Sequence, residues 1–264
     1  MRIILVLFVL FPVFVFAQIN QTDANGLRQG LWQKQQPNGK PMYAGNFKDG
    51  KPVGEWKRYH TGGQVKAIIK YRADSDSADA QLFDEWGKKV AEGIYLNEKK
   101  SGLWNYFSEN RKIADEHFAE GEKQGKSHKY YDTGEVQEET DWVRGKQEGN
   151  YRVFFKNGKP FFQCKMADDK RNGLCLTYFQ NGRVELEANY KNGLHHGEWK
   201  YFDELGKYRY SLFYNDGKIL NPNVRDSISN LQLKMMEMGK DSVPDPEKYM
   251  QNPSEYMLKM NIHK

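Results

Sequence analysis

A period of 24 residues runs through most of this chain and constrains its fold more than any other feature. A small residue opens each unit at Gly30, Gly54, Ala78, Gly102, Gly125, Gly149, Gly173 and Gly197, at intervals of 24 residues, with one interval of 23. Two residues later stand Trp32, Trp56, Ala80, Trp104, Ser127, Tyr151, Cys175 and Trp199. Five after the start, seven of eight positions carry an aromatic ring, among them Tyr59, Phe107, Tyr178 and Phe202. Nine after it, seven of eight carry Gly, the exception being Arg111. A fourth column runs from Phe47 to Tyr214, each member followed three residues on by Gly or an acid. Columns that keep phase over eight units mean stacked copies of one supersecondary element.

The chemistry of the columns identifies that element as a β-hairpin. Asn38-Gly39, Asn157-Gly158 and Asn181-Gly182 are tight-turn dipeptides, expected to take positive φ at both central residues. Aromatic and β-branched stretches flank each turn. A second loop, as in Tyr190 to Gly197, is expected to carry the chain into the next hairpin. The expected fold is all-β, an elongated single-layer antiparallel meander of about eight hairpins, with roughly sixteen strands spanning ~70 to 80 Å. One hairpin is marginal alone, so each unit must cover its neighbour with its aromatic columns.

The pattern Gly54-Glu-Trp56-Lys-Arg-Tyr59 with Gly63, repeated as Gly197-Glu-Trp199-Lys-Tyr-Phe202 with Gly206 and closed by Tyr214-Asn-Asp-Gly217, resembles the MORN repeat, in the variant form of bacterial YwqK-type proteins. The resemblance covers roughly residues 25 to 220. It implies a twisted single-layer sheet and roles in scaffolding, protein binding or membrane-surface association. It also carries an antitoxin label that belongs to the family and that no residue here shows. The third unit departs most, with Ala78 and Ala80 in place of Gly and Trp and an Asp- and Ser-rich run over residues 73 to 79. A local bulge or hinge is expected there.

Outside the array, the first 17 residues read as an export signal: Arg2, the apolar run Ile3 to Phe16, and Ala17 before the expected cleavage point. Residues 18–29 form a lead-in, residues 30–220 the array, and residues 221–264 a helix and tail. The final compartment is expected to be the periplasm, the outer-membrane surface or the medium. Val224, Ile228, Leu231, Met235 and Met238 trace one helical face that Gly239 should end, and this helix is expected to cap the last hairpin. In the tail, Tyr249-Met250 and Tyr256-Met257 echo each other, either packed along the sheet or as a short linear motif.

Composition narrows the function. A net charge of +5, mixed along the chain, provides no basic footprint for nucleic acid. An aromatic content of 14% argues against intrinsic disorder. Gly121 to Ser127 mimics a phosphate loop but has three residues between its glycines where four are needed, and no helix is expected after it. His195-His196 invites a chance metal contact, and Asp74, Asp76 and Asp79 invite calcium, yet both read better as solvated loops. No residue stands in a nucleophile or acid–base context, so neither catalysis nor a cofactor is expected. Cys164 and Cys175 share parity with the aromatic columns about a turn near Asp169, as either a cross-strand disulfide or two buried thiols.

The reading that follows is an exported, non-catalytic scaffold that binds an envelope or surface protein. Its expected interaction face is Trp32, Trp56, Tyr59, Trp104, Phe107, Tyr178, Trp199 and Phe202, since a single layer cannot hide every ring. Binding of a glycan, peptidoglycan or anionic lipid is the alternative. Trp and the next aromatic lie three residues apart, and this odd spacing puts them on opposite faces of a regular strand.

Overall fold

A computed structural model of the protein describes residues 19–73 and 75–240. The apolar leader through Ala17, Asp74 and the tail carrying the two Tyr-Met pairs lie outside the described residues. The chain divides into two compact units, residues 1–159 and 160–264.

The first unit is a β-meander. Its strands are β1 (Gln21–Thr22), β2 (Arg28–Gln35), β3 (Pro41–Lys48), β4 (Lys51–Tyr59), β5 (Val65–Tyr71), β6 (Ser77–Phe83), β7 (Lys89–Leu96), β8 (Lys99–Ser108), β9 (Arg111–Ala119), β10 (Glu122–Tyr130), β11 (Val136–Val143) and β12 (Lys146–Phe154). Successive strands pair antiparallel. The second unit continues the plan with β13 (Pro160–Ala167), β14 (Lys170–Arg171), β15 (Gly173–Tyr178), β16 (Val184–Lys191), β17 (Leu194–Phe202), β18 (Tyr208–Asn215), β19 (Lys218–Ile219) and α1 (Pro222–Lys240). The all-β hairpin architecture with a C-terminal helix is therefore the one expected. The lead-in is not separate, because β1 pairs with β2 and adds a short strand.

The two kinds of turn exchange the roles expected from their sequences. At Asn38-Gly39 only Gly39 is left-handed, its N–H donates to the Gln36 carbonyl, and the Asn38 side chain accepts the Lys40 N–H at 3.0 Å. The links expected to be loose are the tight two-residue turns instead. Asn192 and Gly193 both have positive φ (50° and 83°), as do Asn97-Glu98 and Asp168-Asp169. Glu109-Asn110 makes the same tight turn, with Ser108 opposite Arg111. That shorter turn accounts for both the 23-residue interval and the missing Gly at Arg111.

The glycine that opens each unit lies inside a strand, at a bulge. Ala44 pairs with Lys57 and Asn46 with Val53, so Gly54, Glu55 and Trp56 stand against the single Gly45. Gly54 has φ +65°, a conformation its Cβ-bearing replacements disfavour. The third unit reverses the expectation of an added bulge. Between β5 and β6 the register runs unbroken from Ala67–Leu82 to Tyr71–Ala78. The residues other units place in the bulge go into the wider link after Tyr71, which is why Ala78 needs no glycine.

The helix caps less than expected. Val224 joins the cluster of Ala188, Trp199 and Leu212, but Leu231, Met235 and Met236 are exposed at 56–68%. Gly239 lies within α1 rather than beyond its end.

Candidate functional site

The tryptophans fold onto the sheet instead of projecting from it. The Trp56 indole lies across Gly45 and that of Trp104 across Gly93, and a Cβ on either glycine would overlap the ring. Each indole Nε1 donates to the carbonyl after its small partner: Trp56 to Asn46 at 2.9 Å, Trp104 to Ile94 at 3.0 Å, Trp199 to Asn189 at 2.9 Å. The bulge opens the ladder and the indole supplies a donor beside it. Tyr71, Tyr95 and Tyr214 pack edge-on or tilted against these rings.

The eight residues of the expected interaction face are therefore not one exposed surface. Trp56, Trp104 and Trp199 are buried, Trp104 completely, and Trp32 is half-buried with its Nε1 donating to the Gln21 carbonyl at 3.1 Å. Tyr59, Phe107, Tyr178 and Phe202 are half-buried. Phe107 takes Lys89 Nζ over its ring, and that ammonium also bonds Glu92. Phe202 packs against Tyr208, which donates to Ser211. Glu92 and Ser211 neighbour Gly93 and Leu212, which lie with the Trp rings, so this column occupies the opposite side of the strands. Among the described residues, the apolar side chains most exposed are Trp86 and Leu205, at the tips of hairpin turns.

That opposite side is ionic. Asp115, buried, accepts from Tyr130 Oη at 2.6 Å and His128 Nδ1 at 2.7 Å and pairs with Lys112 at 2.6 Å. Burial pushes its pKa up, but the bonds from Lys112, Tyr130 and His128 outweigh burial and hold it at about 2. Cations also recur on the Trp side, two residues before the opening glycine. Arg28 lies over Trp32 and Phe47, Lys100 over Trp104, Tyr106 and Phe118, Lys123 over Trp142, and Arg171 over Phe162 and Tyr190. Burial lowers the pKa of Lys100.

The pair Cys164–Cys175 forms a disulfide with Cα atoms 4.3 Å apart and a sequence separation of 11. Gly45 and Trp56, Gly93 and Trp104, and Ala188 and Trp199 have the same separation, so the disulfide replaces the indole-on-glycine contact of other units. The other tempting motifs dissolve. Gly121 sits in a tight turn, Gly125 in strand β10, and Lys126 Nζ is held by Glu139 and Asp141. His195 packs on Trp199 while His196 turns to Asp216. Asp79 pairs with Arg72 at 2.6 Å and Asp76 approaches Lys51 at 3.8 Å.

A groove lies at the third unit, where Ala80 stands in the Trp column. Ala80 pairs with Ile69 in the frame that elsewhere joins Trp to a small residue, so large and small are exchanged. Around this exchange a groove of about 1230 Å³ runs over β3 to β7. Its floor is Ala67, Ile69, Ala78 and Leu82, and the half-buried Tyr71 and Tyr95 wall it. Burial raises the pKa of both phenols, while the Arg58 guanidinium nearby opposes that rise. One end carries the exposed Arg58 and Lys66; the other carries Lys51, Asp76, Asn97 and Glu98. The groove is long, and phenols and cations line it.

Among solved structures, similarity is confined to part of the chain. The GtfA/B complex matches at 16% identity and a TM-score of 0.26 over 33% of this chain and 18% of that one. A mutant of S. aureus TarM, in a complex with fondaparinux, α-GlcNAc-glycerol and UDP, matches at 13% identity and a TM-score of 0.23 over 49% of this chain and 22% of that one. The chain thus spans about a fifth of the length of the solved chains it matches. No curated protein matches it. At the level of single repeats the family signal is direct: residues 52–73, 171–192 and 196–216 each match the MORN repeat variant.

Proposed function

We propose that this protein is an exported, non-catalytic repeat scaffold that binds another protein at the cell envelope or surface. The observation that carries the reading is the groove at the third repeat, beside units whose Trp56 and Trp104 are buried over Gly45 and Gly93. A repeat array supplies a rigid surface, and a departure in one unit makes a unique place on it. Tyrosine and arginine at that place are residues that anchor protein interfaces. The leader through Ala17 supports export, and the Cys164–Cys175 disulfide suits an oxidising compartment.

Affinity capture with the tagged chain from a native envelope extract, compared with an Arg58→Glu/Lys66→Glu variant of equal thermal stability, tests the reading. One protein retained by the parent and lost by the variant is expected. Retention of a glycan or lipid with no protein would replace the scaffold with an envelope-binding module. N-terminal sequencing of the processed protein, expected to begin at Gln18, tests export.

A further inference from the structure

The groove also specifies what kind of segment it takes. It runs along the strands: Lys51, Tyr71, Asp76 and Glu98 lie at the strand ends on one side, Arg58, Lys66, Leu82 and Phe83 at the other. A seven-residue strand such as β5 covers about 23 Å, the length of an extended peptide of similar size. Its floor is aliphatic, and a sugar ring has no large apolar group to bury there, whereas an amino-acid side chain has. In the flanking units an indole lies over a glycine, Trp56 over Gly45 and Trp104 over Gly93; here Ala80 and Ile69 take those two places and are buried among the neighbouring rings.

The charges orient the occupant. At one end Lys51 lies 3.8 Å from Asp76, and Glu98 stands nearby. At the other, Arg58 and Lys66 are exposed and have no carboxylate partner among the described residues. We infer that the groove receives an extended protein segment whose large apolar side chain packs against the half-buried Tyr71 and Tyr95 rings and whose carboxylates, a few residues along, pair with Arg58 and Lys66. This rests on the protein-binding reading above and narrows it to one face and one peptide chemistry.

A displayed library of random decapeptides, selected on the full chain, tests it. Selected peptides should share one large apolar residue with Asp or Glu two to five positions away. Their affinity should fall at least tenfold in Arg58→Glu/Lys66→Glu and also in Ile69→Gly/Ala80→Trp, which rebuilds the indole-on-glycine contact of the neighbouring units. Lys218→Glu, on an exposed strand elsewhere, should change nothing, and thermal melting checks that each variant folds. Peptides that bind equally well to both groove variants would overturn the groove assignment and leave the scaffold reading standing. Failure to select any peptide, with binding of uronic-acid oligosaccharides or phosphatidylglycerol vesicles instead, would overturn both.

Discussion

Trp104 lies across the bare Cα of Gly93 and donates its indole N–H to the carbonyl of Ile94, and this one relationship explains much of the repeat. The glycine makes room, the bulge aims the ring, and the hydrogen bond fixes it in place. A methyl group at Gly93 has nowhere to go. Gly93→Ala should cost about 1 to 3 kcal/mol through overpacking, read as a lower urea midpoint with an unchanged slope.

The indole contributes both burial and a hydrogen bond, and these separate by substitution. Trp104 is fully buried, so Trp104→Ala should destabilise by about 3 to 5 kcal/mol. Trp104→Phe keeps most of the apolar area but leaves the Ile94 carbonyl without this donor, and should cost about 1 to 3 kcal/mol. Urea unfolding of the two variants should preserve that order.

Asp115 makes stability sensitive to acid. Its folded pKa of about 2 lies below the ordinary 3.8, so its contribution is complete above the unfolded value and disappears as pH falls through 3.8 toward 2. The loss should be about 2 kcal/mol. Asp115→Asn should be less stable at pH 7 and flatter between pH 4 and 2, measured by thermal melting across that range.

The disulfide and the indole occupy equivalent places, so one should replace the other. Reducing Cys164–Cys175 opens the loop that its separation of 11 residues closes in the unfolded chain, and should cost about 2 to 3 kcal/mol. Cys164→Gly/Cys175→Trp should recover part of that loss and melt at the same temperature with or without reductant.

Much of this was legible in the sequence, and the gaps have definite causes. The columns gave the hairpins because a period of 24 has few structural solutions. Turn types were exchanged because Asn-Gly suits both a two-residue turn and a wider one closed by a single left-handed glycine; only strand register separates them. Alternation places Trp56 and Tyr59 on opposite sides, yet it says nothing of a ring that folds down onto the sheet, so it leaves the tryptophans on an open face. The small residues 11 positions before Trp56, Trp104 and Trp199 carry that signal, and Cys164 stands in the same relation to Cys175. The groove was visible only as a defect, Ala80, whose meaning needs the neighbouring indoles in place.

A partner held at the third repeat, where Ala80 stands in the Trp column, must touch one side of β5 and spare the other. Ile68 and Ile69 are adjacent in β5 and point to opposite sides of the sheet, which makes them paired reporters. Methyl NMR of the full chain, titrated with a selected acidic peptide, should shift the Ile69 methyl resonance and leave that of Ile68 nearly in place. A shift at Ile68 with Ile69 unmoved would put recognition on the ionic side and rule out the groove.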